Sequence, residues 1–150
     1  MTNVPLSDGA RKVLDQAQHE ARGLRQEFVG TEHLFLGILQ VSGTQAQRIL
    51  RQHHVDREAL RSQLLAVLPY SEADPVVTGN LPLSPKCQRA VQSALVMSRS
   101  LRENTLSTRV LLLALLDEPK TALIQAMRSA GIDVDALLRG LAEKPEDTES

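Results

Sequence analysis

The chain has 150 residues, of which 42% are hydrophobic and 23% charged, and its formal net charge is −1; these values suit one compact soluble domain or two very small ones. The balanced charge and an aromatic content of 2% argue against nucleic-acid binding, which needs a concentrated positive field. A single cysteine (Cys87), an N-terminus without a basic segment followed by an apolar one, and a longest apolar run (residues 110–116) too short to span a membrane together predict a cytoplasmic protein.

A duplication runs through the chain at an offset of 77 residues, the difference between positions 82 and 5. The tripeptide "PLS" stands at residues 5–7 and again at 82–84, and matching apolar and capping residues continue in that register, without a gap, for about sixty residues. A single repeated tripeptide would be a weak signal, but an ungapped register of this length indicates two related halves.

Each half is predicted to form four helices, and the fold class is therefore all-α: two tandem four-helix repeats, eight helices, packed with pseudo-twofold symmetry. The second helix of each repeat is apolar almost all round, which predicts a central and buried helix. The residues assigned to the four helix starts are Ser7, Thr31, Thr44 and Asp56 in the first repeat and Ser84, Thr108, Thr121 and Asp133 in the second.

The two repeats are expected to form one domain over residues 1–150. Repeat 1 covers residues 5–68, a linker rich in Pro, Gly, Asp and Asn covers 69–82, and repeat 2 covers 83–143. Neither half is large enough to bury its apolar helix alone, so the halves should share a core. The acidic, polar segment 144–150 is predicted to be disordered.

Glu32, in the stretch "VGTEHLFLGILQ" (residues 29–40), has two interpretations. An acid in the first turn of a helix stabilises the helix by ~0.3–1 kcal/mol, and Thr31 would supply the N-cap. Alternatively, the carboxylate holds a guanidinium in a bidentate pair, and a nearby helix N-terminus, such as the one after Ser7, holds an anion. The residues by themselves leave both interpretations open.

No catalytic or metal-binding pattern is present in the sequence. The segment "EHLFLG" is not H-E-x-x-H, and His33 is expected to be a half-buried packing and hydrogen-bonding residue. Neither G-x-x-x-x-G-K-[ST] nor G-x-S-x-G occurs. We therefore expect a protein that is not an enzyme and that has no catalytic residue, cofactor or metal.

The segment "LSDGARKVLDQAQHEARGLRQEFVGTEHLFLGILQ", residues 6–40, resembles the first repeat of the Clp N-terminal domain, and the resemblance extends to about residue 143. It implies a rigid all-α domain that does no chemistry, is a monomer in isolation, and binds adaptor proteins or tagged substrate proteins. The ClpC branch implies recognition of phosphorylated arginine, with a glutamate on the guanidinium and helix N-termini towards the phosphate. The candidate ligand-binding residues are then Glu32, Ser7 and Thr31.

The second repeat departs from this pattern. It has "STRV" at residues 107–110, and Arg109 stands where the family's second glutamate would be. A guanidinium repels another guanidinium, so Arg109 and Thr108 mark a degenerate second site. That site is either lost, which we favour, or binds something acidic.

The resemblance also implies partners: a Clp ATPase ring and its protease, in cis or in trans. The charge pattern and the short apolar runs predict no nucleic-acid partner and no membrane. The chain could be a fragment of a larger ATPase or a complete small protein, and the sequence does not decide between them. An alternative function is a free-standing helical regulatory or sensor protein that binds a small molecule or competes for Clp adaptors.

Overall fold

The computed structural model describes residues 4–71, 79–118, 121–143 and 145. These residues form eight α-helices and no β-strand, so the all-α fold with four helices per repeat is confirmed. The helices of the first repeat are α1 (Asp8–Gly23), α2 (Thr31–Gln40), α3 (Gln45–Gln52) and α4 (Arg57–Val67), and those of the second are α5 (Pro85–Ser100), α6 (Thr108–Leu116), α7 (Ala122–Ser129) and α8 (Val134–Ala142).

The duplication is visible in the backbone as well as in the sequence. Arg25 and Arg102, 77 positions apart, have φ of 56° and 58° after the first helix of each repeat. His54 and Gly131 likewise have φ of 59° and 81° after the third helix. Left-handed conformations are uncommon outside glycine, so their recurrence at matched positions supports the common origin of the repeats. Predicted N-caps that accept a hydrogen bond from the third residue after them are Ser7, Thr44, Asp56, Ser84, Thr121 and Asp133.

The starts of the second helices differ from the prediction. Gly30 is the N-cap of α2 and Thr31 its first helical residue, so the capping role expected of Thr31 is wrong. In the second repeat Ser107, not Thr108, caps α6 and accepts the Val110 N–H at 3.3 Å. The helices begin where predicted, but the capping residue lies one position earlier.

The apolar second helices form the centre of the molecule. Every residue of α2 from His33 to Leu39 is buried, and in α6 only Leu113 is more than slightly exposed. The buried side chains of both repeats belong to one continuous hydrophobic cluster. The contacts are reciprocal, α1 with α6 and α2 with α5, and α3 with α8 and α4 with α7. The two repeats therefore share a single core around a pseudo-twofold, as predicted.

Two short backbone pairings join the repeats and position their helix starts. The Val29 N–H donates to the Pro82 carbonyl and the Ser84 N–H donates to the Val29 carbonyl, both at 2.9 Å, which sets the starts of α2 and α5 side by side. In the same way, Leu106 pairs with the chain between Pro5 and Ser7, at 2.8 and 3.0 Å, and sets the starts of α1 and α6 side by side. Each pair of helix starts thus comes from different repeats.

Residues 72–78 of the predicted linker and most of the tail fall outside the described residues, and the disorder expected for residues 144–150 stays a prediction. Of the described linker residues, Leu81 packs firmly. It is 3% exposed, and the Gln18 side chain both donates to its carbonyl, at 2.9 Å, and accepts from its N–H, at 2.8 Å. Leu81 therefore belongs to the core, whereas its neighbours Asn80 and Pro82 are exposed.

Candidate functional site at the start of the second helix

Glu32 lies in the first turn of α2 and is half-buried. The Thr31 hydroxyl donates to its Oε2 at 3.2 Å, which orients the carboxylate. Burial and, in second place, the negative charge of Glu32 raise the pKa of the Cys87 thiol to about 11. The pairing of Val29 with the segment before α5 sets the start of α2 near the first turn of α5, and Thr31 and Lys86 line the same cleft.

The start of α5 offers an anion a backbone donor and positive charge. Ser84 caps the helix and accepts the Cys87 N–H at 3.1 Å, while Pro85 has no N–H to give. Of the first three residues of the helix, Lys86 is therefore the one that keeps a backbone N–H for an outside acceptor. Its exposed side chain adds a positive charge, and so does that of Arg89 one turn further on. This end of α5 suits a negatively charged group.

Ser7 is not part of the same site as Glu32. It is 2% exposed and caps α1 by accepting the Ala10 N–H at 3.0 Å. Its own backbone N–H donates to the Leu106 carbonyl. Because Gly37 of α2 packs against the middle of α1, the start of α2 lies beside the last turns of α1, about 20 Å along the helix from Ser7. The helix start that lies on the same side of the molecule as Glu32 is therefore that of α5, after Ser84, and not that of α1, after Ser7.

Sequence reasoning missed Ser84 and Lys86 as neighbours of Glu32. The duplication already identified Ser84 as the counterpart of Ser7 and as a helix cap. What the register alone does not give is which of the two helix starts faces Glu32. That choice is made by the pairing between repeats, which involves residues more than fifty positions apart in the chain.

His33 completes the start of α2 from within. Its Nδ1 accepts the Gly30 N–H at 2.8 Å, and the ring is 6% exposed. Burial lowers the pKa of His33, and the charges of Glu32 and Glu20 oppose this only in part. The expected packing and hydrogen-bonding role of His33 is confirmed, but the ring is buried rather than half-buried. Among the described residues, no group of three or more His, Cys, Asp or Glu side chains is arranged to hold a metal ion.

In the second repeat, Arg109 stands at the position of Glu32 and forms an internal ion pair. Arg109 is 1% exposed, and its guanidinium donates to the Glu103 carboxylate and, at 2.5 Å, to the Leu141 carbonyl. Thr108 is 0% exposed and accepts the Ala46 N–H at 3.1 Å, which ties α6 to the start of α3. A surface that binds something acidic would need an exposed guanidinium, and Arg109 does not provide one.

Cys87 is a buried packing residue of the core. Cys87 is 0% exposed within the shared core, as the sequence predicted for a small packing residue. The raised pKa keeps its thiol protonated near neutral pH, and a thiol is a far weaker nucleophile than a thiolate. None of the described helices has the length and apolar character needed to cross a membrane.

The chain is similar to Clp proteins in sequence. A profile of the Clp repeat (R) N-terminal domain matches residues 5–130 and 83–148. The "ATP-dependent Clp protease ATP-binding subunit ClpA homolog" of Trieres chinensis is 30% identical over 132 residues, which is 87% of this chain and 15% of the relative. The "Chaperone protein ClpC2, chloroplastic" of Oryza sativa subsp. japonica is 28% identical over 127 residues, 85% of this chain and 14% of the relative. The chain thus spans about a seventh of these curated relatives.

Solved structures share the fold at lower sequence identity. The Hsp104 N-terminal domain from Candida albicans superposes with a TM-score of 0.77 at 14% identity, covering 97% of this chain and 94% of that one. The N-terminal domain of ClpD from Arabidopsis thaliana gives 0.72 at 17% identity, covering 91% and 94%. A ClpV N-domain in complex with a VipB peptide gives 0.69 at 18%, covering 93% and 90%.

Proposed function

Because this chain belongs to the family of Clp repeat N-terminal domains, we propose that it is a non-catalytic docking module that presents adaptor or substrate proteins to an ATP-dependent Clp unfoldase and its protease. The observation that carries this proposal is the match of the family profile across both repeats. The ClpV N-domain, which has the same fold, is known in complex with a peptide. The motor would be joined to this domain in cis or recruited in trans, and a cytoplasmic location would suit the single buried Cys87.

We further propose that the pair of helix starts at α2 and α5 binds a phosphorylated arginine side chain. The Glu32 carboxylate would take the guanidinium in a charge-assisted, bidentate pair. The phosphate would accept the Lys86 N–H at the start of α5 and pair with the Lys86 ammonium. The support for this assignment is that an acid and a positively polarised helix start lie side by side across the repeats.

The proposal predicts one phosphoarginine per chain rather than two. In the second repeat the matching position holds Arg109, whose guanidinium is already buried against Glu103. A second guanidinium would meet a like charge there instead of a carboxylate. Only the Glu32 site has the charge that the ligand requires.

Titration calorimetry of this chain with free phosphoarginine tests the assignment. We expect binding that weakens at least tenfold in Glu32→Gln, because the guanidinium loses its ionic partner while the side-chain volume is kept. Glu27→Gln is the matched control, since Glu27 is an exposed acid five positions away. Equal affinity in Glu32→Gln and wild type, or no binding to wild type, contradicts the phosphoarginine assignment.

The docking function itself needs a separate measurement. The same chain is mixed with a Clp unfoldase adaptor, and complex formation is followed by light scattering. Adaptor binding without phosphoarginine binding would keep the docking function and remove only the ligand assignment. If neither binds and a thermal-shift screen finds a specific metabolite, the chain acts as a small-molecule sensor instead.

A further inference from the structure

A cleft of about 110 Å³ opens next to the start of α2. It lies between α5, the end of α6 and the start of α7, and the Thr31 side chain forms part of its wall. Its floor is apolar and its rim is charged. The floor residues are Ala90, Ala114, Leu115 and Leu123, and the charged rim residues are Lys86, Arg89, Asp117 and Glu118.

One cause of the opening is the exchange of a glycine for an alanine between the repeats. In the first repeat, Gly37 lets α2 approach α1 so closely that an added Cβ would lie 2.6 Å from the Val13 carbonyl oxygen. The second repeat has Ala114 at the matching position, so α6 carries the methyl group for which α2 has no room. The smaller Ala90 stands where the first repeat has Val13. The α5–α6 seam is therefore less filled than the α1–α2 seam.

A second cause is a missing contact between helix starts. Thr108 of α6 is fully buried, and its hydroxyl accepts the Ala46 N–H at the start of α3. This hydrogen bond joins α6 to the start of α3 at the position in the first repeat that corresponds to the cleft. The matching residues are Thr31 and Leu123, and both line the cleft instead. Thr31 is accordingly half-buried where Thr108 is 0% exposed. The cleft is therefore a departure from the pseudo-symmetry of the two repeats.

The rim is electrostatically divided. Lys86 and Arg89 on α5 make one side positive, and Asp117 and Glu118 at the end of α6 make the other side negative. Acids at a helix C-terminus oppose the macrodipole, so the stability of α6 does not account for Asp117 and Glu118. A ligand with a basic group would pair with them, while an acidic group would pair with the opposite side.

We propose that this cleft holds an extended segment of the docked protein with an acidic, an aliphatic and a basic side chain, in that order, at alternate positions; the inference rests on the proposed docking function. Every second side chain of an extended chain points in the same direction, so the aliphatic side chain would enter the cleft while the charged side chains two positions before and after it lie along the rim. A dry cavity of ~150 Å³ accommodates benzene, and this smaller one suits a side chain of the size of valine or leucine. Thr31 and Lys86 make the cleft continuous with the Glu32 site.

A labelled peptide with the central sequence glutamate–serine–leucine–serine–lysine tests the proposal by fluorescence anisotropy with this chain, because its charged side chains share a face with the leucine. Ala90→Leu fills the cleft from α5, and we expect it to weaken peptide binding at least tenfold. Gln92→Leu adds the same side chain to an exposed position of α5 away from the cleft and should leave binding unchanged. Equal weakening by both variants, or by neither, overturns the proposal, as does a peptide that fails to bind the wild type.

Charge reversal gives a test that does not depend on filling the cleft. Asp117→Lys/Glu118→Lys should bind the same peptide at least fivefold more weakly than wild type. It should regain affinity for a peptide in which the lysine is replaced by glutamate. Loss without that rescue contradicts the assigned orientation. Phosphoarginine titration of Ala90→Leu separates the two sites: unchanged phosphoarginine binding with lost peptide binding assigns the loss to the cleft alone, whereas loss of both contradicts a separate subsite.

Discussion

The guanidinium of Arg109 is buried against the carboxylate of Glu103, which lies on the segment leading into the same helix. The first repeat has Glu32 and Gln26 at these two positions. Between the repeats, the acid has in effect moved from the helix start to the preceding turn. A half-buried carboxylate in one repeat corresponds to an internal ion pair in the other.

Arg109→Met should lower the free energy of unfolding by about 3 kcal/mol, because the Glu103 carboxylate and the Leu141 carbonyl lose their partner. Urea denaturation measures the change. Arg128→Met, at an exposed position of α7, is the control and should change stability by less than about 0.5 kcal/mol. A similar small effect at Arg109 would show that the buried pair contributes little.

Phosphoarginine should bind wild type with a stoichiometry of one. Replacing Glu103→Gln together with Arg109→Glu gives the second repeat the same residue pair as Gln26 and Glu32, and should raise the stoichiometry to two. Calorimetry with a melting curve for each variant distinguishes a new site from a loss of folding. Two equal sites in the wild type would contradict the role assigned to Arg109.

Gly37→Ala should destabilise the domain by about 2 kcal/mol, because the new methyl group would meet the backbone of α1 at 2.6 Å and the two helices would have to separate. Gly23→Ala is the matched control: Gly23 has nothing within 4 Å of an added Cβ and lies in the last turn of α1. Alanine is the better helix former, so this change should be neutral or slightly stabilising. Chemical denaturation of both variants decides whether close approach, rather than glycine content, matters.

Stability should fall as the pH decreases below 6.5, in part through His33. Burial lowers its pKa in the folded state from 6.5, so in that range the unfolded chain binds a proton that the folded chain does not. The contribution of one such group is at most about 1.4 kcal/mol per pH unit. His33→Gln keeps an acceptor for the Gly30 N–H but does not titrate, and its unfolding free energy should decrease less between pH 7.5 and 5.5. Identical slopes for variant and wild type would rule out His33 as a contributor.

The local features of the fold were predictable from the sequence because they depend on neighbouring residues. Ser7 and Asp56 cap helices by bonding an N–H three positions on, and the apolar run of α2 requires burial wherever it packs. The prediction for Thr31 failed because Gly30 adopts the extended cap conformation without a side chain, and its N–H donates to His33 Nδ1. Residue type alone therefore does not decide which of two adjacent residues is the N-cap of a helix.

The arrangement of the candidate site depended on distant parts of the chain. The pairing of Val29 with Leu83 brings Ser84 rather than Ser7 to Glu32, and nothing in either segment's own pattern specifies that partner. The burial of Arg109 similarly depends on the Leu141 carbonyl, 32 positions away. In the aligned repeats, Gln26 of the first corresponds to Glu103 of the second, and Glu32 corresponds to Arg109. This pair of changes is the signal that would have revealed the ion pair.

The crossed pairing of helix starts makes the two repeats depend on each other. One four-helix unit alone contributes one helix start to each pair, and would need a second unit to complete either pair. The two pairs are not equivalent in charge: one holds the buried Arg109–Glu103 ion pair, and the other holds the half-buried Glu32 carboxylate.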